Sequence, residues 1–181
     1  MSDVSTALNF YRPRHFKPAE LVSQKAFQQL GENRVLRYID PRILMMADAL
    51  ADRFCLDEDG KKIGTATINN WCFGGKLQFR GLRLPGDPHF KQFSDHSFGR
   101  ALDITFSTAS AAEVRDHIEQ NPELYPFITF VEEGDSITWL HIACSNLAGM
   151  GFTIKKKDSV IFYDFDLKCA REVFRKGGGN V

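Results

Sequence analysis

A histidine that precedes an aspartate by seven residues, with a glycine between them, has the layout of half a metal site. The stretch Ser94-Asp95-His96-Ser97-Phe98-Gly99-Arg100-Ala101-Leu102-Asp103 has that layout. With Ala101 to Phe106 as a strand, Leu102, Ile104 and Phe106 face one way and Ala101, Asp103 and Thr105 the other, because side chains alternate. Asp103 then falls on the smaller, more polar face. Gly99 permits a sharp turn that folds His96 back beside Asp103, and the small Ala101 leaves room for an ion and its substrate. Catalytic zinc usually takes three protein donors and keeps one position for water, so a third ligand is expected. His141, in Thr138-Trp139-Leu140-His141-Ile142, is the best candidate, since an unpaired imidazole is an odd residue on an otherwise apolar strand. His15 in a basic loop, His89 in the loop Pro88 to Phe90 and His117 on a helix surface have weaker contexts and are set aside.

The elements that must position these residues can be read from the pattern of the chain. Pro18 to Leu30 predicts an amphipathic helix stopped by Gly31. Asp40 and Pro41 cap a second, whose buried face is Ile43, Met46, Ala47, Leu50 and Phe54. Ser110 and Glu113 form a capping box for a third over Ala111 to Gln120. Strands are predicted at Thr65 to Asn69, Ala101 to Phe106, and in a hairpin of Phe127 to Glu132 with Ile137 to Ile142. Val160 to Tyr163 adds a strand, and Leu167, Ala170, Val173 and Phe174 suggest a terminal helix. Helices and strands do not alternate as a parallel fold requires, so the class is α+β. The chain of 181 residues reads as one domain, with core motifs over 16–146 and a strand-helix extension over 155–181.

Composition bounds the function. Lys plus Arg and Asp plus Glu both number 23, so there is no long-range positive field to gather nucleic acid. No apolar run reaches the roughly 18 residues of a membrane span, and Met1 to Phe10 lacks the layout of a secretory signal, which predicts a cytoplasmic protein. Cys55, Cys72, Cys144 and Cys169 form no CxxC pair and read as reduced, mostly buried thiols. Cys144 follows His141 by three residues, an odd offset that points it into the core rather than at a metal. Trp71 and Trp139 read as core or cleft-wall residues.

These motifs resemble those of the zinc D-alanyl-D-alanine carboxypeptidases and L-alanyl-D-glutamate endopeptidases, which share a fold with the hedgehog signalling domain. The family pattern Ser-x-His-x-x-Gly-x-Ala-x-Asp is met at Ser94, His96, Gly99, Ala101 and Asp103, and its later Trp-x-His at Trp139 and His141. Thr67-Ile68-Asn69-Asn70-Trp71 and Arg80-Gly81-Leu82-Arg83 also look like the segment leading into the first ligand in phage-type members. The likeness runs from Phe16 to Asn146.

The resemblance implies a small antiparallel sheet flanked by helices, with His96, Asp103 and His141 binding Zn²⁺. It also implies an acidic residue near the last ligand and an upstream arginine for the substrate's carboxylate. Zinc lowers the pKa of bound water toward ~7, but amide cleavage still needs a group to take that proton and deliver one to the leaving amine. Several relatives carry the acid three residues before the last histidine, where this chain has Thr138. Other members place it at the end of the preceding strand, which here offers Glu132, then Glu133, then Asp135 in order of preference. Arg83 could pair bidentately with a peptide carboxylate, with Arg80 as the alternate clamp, and Ser94 could orient the first ligand. The implied protein is a monomeric zinc peptidase of the peptidoglycan stem, a phage lysis or virion-associated enzyme with no nucleic-acid partner. It would accumulate in the cytosol and act at the cell wall. The alternative, kept open by Thr138, is a non-catalytic zinc-binding or virion structural protein on the same fold.

Overall fold

A computed structural model describes residues 11–132 and 137–144 in full, and the backbone alone of 151–155, 159–164 and 169–175. Ser23 Oγ accepts a hydrogen bond from Ala26 N (3.2 Å) and starts helix α1 (Gln24–Leu30), which ends at Gly31. The single helix expected from Pro18 is therefore split. Pro18–Leu21 is a 3-10 turn, and the extended backbone of Val22 separates it from the Ser23 cap. A short helix α2 (Glu32–Val35) leads to α3 (Pro41–Cys55), whose Asp40 cap accepts from Arg42 N (3.0 Å). The α3 face Ile43, Met46, Ala47 and Leu50 is buried as the spacing predicts, with Phe54 packed at its margin. Helix α4 (Ala111–Gln120) has the predicted bounds and the reciprocal Ser110/Glu113 box.

The strands are β1 (Ala66–Thr67), β2 (Ala101–Phe106), β3 (Phe130–Glu132), β4 (Leu140–Ala143), β5 (Gly151–Lys155), β6 (Ser159–Asp164) and β7 (Cys169–Arg175). They form one sheet in the order β1-β2-β4-β3-β5-β6-β7. The run β1-β2-β4-β3 is antiparallel, and the expected hairpin is present, its strands shorter than predicted, with Val131 opposite Ile142. This four-strand run is the small antiparallel sheet expected, and β3 also pairs parallel with β5, which carries the sheet on through β6 and β7. Helices and strands segregate in an α+β arrangement, with α3 packed on β1 and β2 and α4 on β4.

The expected terminal helix is instead β7, paired with β6 from Cys169 to Arg175; Leu167 lies outside the described residues. A register shift sets Phe174 opposite Val160 but Glu172 opposite Ile161, so Val173 is the extra residue. That bulge breaks the period-two alternation that marks a strand in sequence, and β6 supplies the backbone partner that a helix would otherwise have provided internally.

Buried polar groups tie the amino-terminal segment to α3. Asp48 on α3 accepts from Tyr11 Oη (2.6 Å), Arg14 N (2.7 Å) and His15 N (3.1 Å). Burial first, and then Asp48, push the Tyr11 phenol up to about 12. His15 is engaged here as well, its Nε2 lying 2.7 Å from Asp52 Oδ1.

His117 corrects the surface position expected for it. It lies between Val114 and Ile118 on the packed side of α4, so its ring extends their buried stripe. That ring meets Phe54 edge-on at 5.3 Å and Tyr125 at 5.8 Å, and its Nε2 is buried with no hydrogen-bond partner. Burial, and then the charge of Arg53, lower its pKa. The unfolded chain therefore takes up this proton first as pH falls below the ordinary histidine value of about 6.5. This contribution to stability is full above that value and is lost as pH falls toward the folded pKa. Denaturant unfolding at about pH 7.5 and about pH 5 is expected to show wild type losing more stability than His117→Phe. Equal losses would remove His117 as the cause.

Candidate metal centre and cleft

The first candidate ligand sits in a turn that the local sequence dictates. Ser94 Oγ accepts from His96 N (3.3 Å) and opens a 3-10 turn, Asp95–Phe98, which Gly99 closes at φ 65°. That left-handed conformation favours glycine, and a Cβ there would strike the carbonyl oxygen of Tyr38. The turn therefore lies flush against the segment leading into α3, where Asp40 N donates to Gly99 O (2.9 Å).

The second support is the strip Arg80-Gly81-Leu82-Arg83. Arg80 N donates to Asn69 Oδ1 (3.0 Å), and Leu82 N donates to Leu21 O (2.9 Å). Asn69 Nδ2 and Trp71 Nε1 both donate to Val22 O, at 3.2 and 2.8 Å. A Cβ on Gly81 would meet Leu21 O, so only glycine lets these backbones approach so closely. Gly81 O in turn lies 2.8 Å from His96 Nδ1. The Nδ1 proton faces that carbonyl, which turns Nε2 toward Asp103, 3.4 Å from its Oδ1.

The sheet brings in the other two residues. Asp103 on β2 pairs directly with His141 on β4, and directly opposed residues in an antiparallel pair share a face. His141 Nδ1 is 2.7 Å from Asp103 Oδ1. The other carboxylate oxygen accepts from Arg83 Nη2 (3.0 Å), and Arg83 Nε donates to Phe79 O (2.6 Å). Burial alone would raise the Asp103 carboxyl. Hydrogen bonds from His141 and His96, with their charges, outweigh it and hold Asp103 well below the usual carboxylate range.

The donor atoms of His96, Asp103 and His141 all lie within 4.8 Å of one another, and these residues could hold a metal ion. Two imidazole nitrogens and one carboxylate oxygen, with a carbonyl fixing one ring and a guanidinium fixing the carboxylate, match the donor chemistry of a zinc-type ion. Cys144 is no donor here, since it is buried in the core and burial pushes its thiol up to about 12.

Glu132 on β3 pairs with His141 from the opposite side of β4, so Asp103, His141 and Glu132 form one row on one face. Phe130, two residues earlier, stands on that face too, its ring 5.7 Å from that of His141. Glu133 and Asp135, the other carboxylates considered for the acid, lie outside the described residues. Thr138 is exposed and precedes β4.

Beside the cluster lies a cleft of about 630 Å³ whose wall includes Asp103, Arg80, Arg83 and Trp139. Arg80 Nη1 donates to Thr105 Oγ1 (3.3 Å), and its guanidinium lies 5.8 Å over the Trp139 ring. Arg115 on α4 holds Trp139 from behind through its carbonyl oxygen (3.2 Å). The facing wall is the loop carrying His89, Phe90 and Lys91, with His89 edge-on to Phe79 at 5.7 Å. Sequence context alone gives His89 no place in the site. The one available signal was its place in the loop that runs straight into the Ser94 to Asp103 motif.

Two outcomes are expected. Titration with zinc or cobalt should show one ion per chain, and ligand at a hundredfold its Kd should raise unfolding free energy by about 2.7 kcal/mol. His96→Ala and Asp103→Ala should each abolish that gain, and a wild-type melting temperature unmoved by either metal would contradict the site. Gly99→Ala, which must displace the Tyr38 carbonyl and hold a left-handed φ, should cost roughly 2 kcal/mol or more in denaturant unfolding. It should weaken metal binding in parallel. No protein-family model, no curated protein and no solved structure matches this chain.

Proposed function

We propose that this chain is a zinc-dependent peptidase of the hedgehog/DD-peptidase type that hydrolyses a peptide bond in the stem of bacterial peptidoglycan. The observation that carries the reading is the row Asp103, His141, Glu132 across three neighbouring strands, completed by His96. Three donors with a carboxylate beside them are what metal-assisted amide hydrolysis requires. Zinc held by His96, Asp103 and His141 supplies Lewis acidity toward a carbonyl oxygen and toward water.

The chain's own residues supply the rest. Glu132 takes a proton from the water that attacks the scissile carbonyl carbon and returns it to the leaving amine nitrogen, so no net proton is needed. Arg83 is committed to Asp103 and holds that ligand in place. Arg80 is then the clamp for a substrate carboxylate, with its guanidinium braced by Thr105 and Trp139. Ser94 fixes the backbone of His96. Phage-encoded lysis or association with a virion, with action at the wall after accumulation in the cytosol, follows from the same resemblance. No helix among the described residues is long and apolar enough to cross a membrane.

The test is digestion of purified peptidoglycan by zinc-loaded protein, with mass spectrometry of the fragments. Wild type should release new amine termini, and Glu132→Gln should cut the rate by about 10²–10⁴ while metal content stays unchanged. No release from any wall type despite bound zinc would favour the non-catalytic zinc-binding or virion structural reading, which the exposed Thr138 supports.

A further inference from the structure

The charge of the cleft is lopsided. Lys76, Arg80, Arg83 and Lys91 line it, and the carboxylate among its lining residues is that of Asp103. Arg83 already neutralises Asp103. Arg80 is half-buried, and among the described residues its side-chain partners are the Thr105 hydroxyl and the Trp139 ring rather than a carboxylate. Asp103, whose charge also reaches Arg80, is already shared with Arg83 and two imidazoles, so a half-buried guanidinium held chiefly by a hydroxyl and a ring gains when an anion binds. Lys76 and Lys91 are exposed and line the same cleft, and Phe79, His89 and Phe90 line it with them. Low-dielectric walls lined by one sign of charge focus the field on a bound ligand.

A ligand with one carboxylate satisfies Arg80 and leaves both lysines unmatched. We propose that the cleft is built for a short peptide bearing two carboxylates, one held by the half-buried Arg80 and a second held by the exposed Lys76 and Lys91. The protein then discriminates a free carboxylate from its carboxamide at both positions. A cleft of about 630 Å³ accommodates a ligand of this size, since ligand pockets commonly span ~300–1,000 Å³. The inference rests on the peptidase reading for its peptide class, but the charge preference is a binding property and can be measured without turnover.

The experiment is calorimetric binding to the chelator-treated full chain, which takes hydrolysis out of the measurement. The probes are four versions of one stem tetrapeptide: diacid, internal amide, C-terminal amide and diamide. The diacid should bind tightest, with each amidation weakening binding about 5–10-fold, within the net worth of an ordinary solvent-accessible hydrogen bond. Arg80→Gln should erase the penalty for one amidation and Lys76→Gln/Lys91→Gln the penalty for the other. Raising salt should diminish chiefly the lysine-dependent part, which is solvent-exposed. The double lysine variant changes only exposed side chains, so it keeps the test interpretable even if Arg80→Gln fails to fold. Equal affinity for diacid and diamide, or no binding of any probe, would overturn the proposal. A retained diacid preference in a protein that digests no wall would instead overturn the peptidase reading and leave the charge selectivity standing.

Discussion

Asp103 is 6% exposed, and a carboxylate at that depth persists only when charge and hydrogen bonds surround it. Each of its contacts explains a different part of the architecture. His141 reaches it because β2 and β4 pair in one register, and His96 because the Gly99 turn folds back. Arg83 reaches it because the Gly81 strip lies against Leu21. Asp103 N, donating to Arg80 O (2.8 Å), ties that strip to β2. Removing Arg83 would leave buried charge uncompensated, and the cluster constrains the Arg80 to Arg83 strip, the Gly99 turn, β2 and β4 to one geometry.

The two carboxylate oxygens have different tasks, and this decides what the arginines can do. Oδ1 faces both imidazoles while Oδ2 faces Arg83. The resemblance offers Arg83 as the clamp with Arg80 as the alternate, but the fold separates them. Arg83 sits with Asp103 and the Phe79 carbonyl, whereas Arg80 is turned outward along Trp139 into the cleft. Two arginines three residues apart in an irregular strip have no periodicity that would reveal this. The difference comes from which backbone groups dock on Asn69 and Leu21.

What was legible in the sequence was local. The Ser110/Glu113 box and the Asp40-Pro41 start are self-contained signals, and α3 and α4 follow them. The alternation in Ala101 to Phe106 gave the correct faces because β2 pairs along its length without a bulge. The Ser23 cap lies inside a continuous apolar period that masks it, and the helix there is split. The bulge at Val173 disguised β7 as a helical stripe. His89 was not legible as a wall residue because its loop is fixed by distant contacts. Asp87 accepts from Leu84 N (2.7 Å) and from Ser23 Oγ (3.2 Å), and no spacing rule links residue 23 to residue 87.

Thr138 is where sequence spacing and sheet register part company. A motif that counts residues back along one strand finds no acid there, yet a neighbouring strand can deliver a carboxylate to the same face without any fixed sequence distance. The Val131 to Ile142 pairing sets Glu132 opposite His141. A slip of one residue would put Glu132 on the other side of the sheet, in the core that Val131 and Ile142 now fill. Burial of those two residues is thus what holds Glu132 in the row with Asp103 and His141. The hydrophobic register of the hairpin, more than any motif spacing, is the physical basis for the carboxylate's place beside His141.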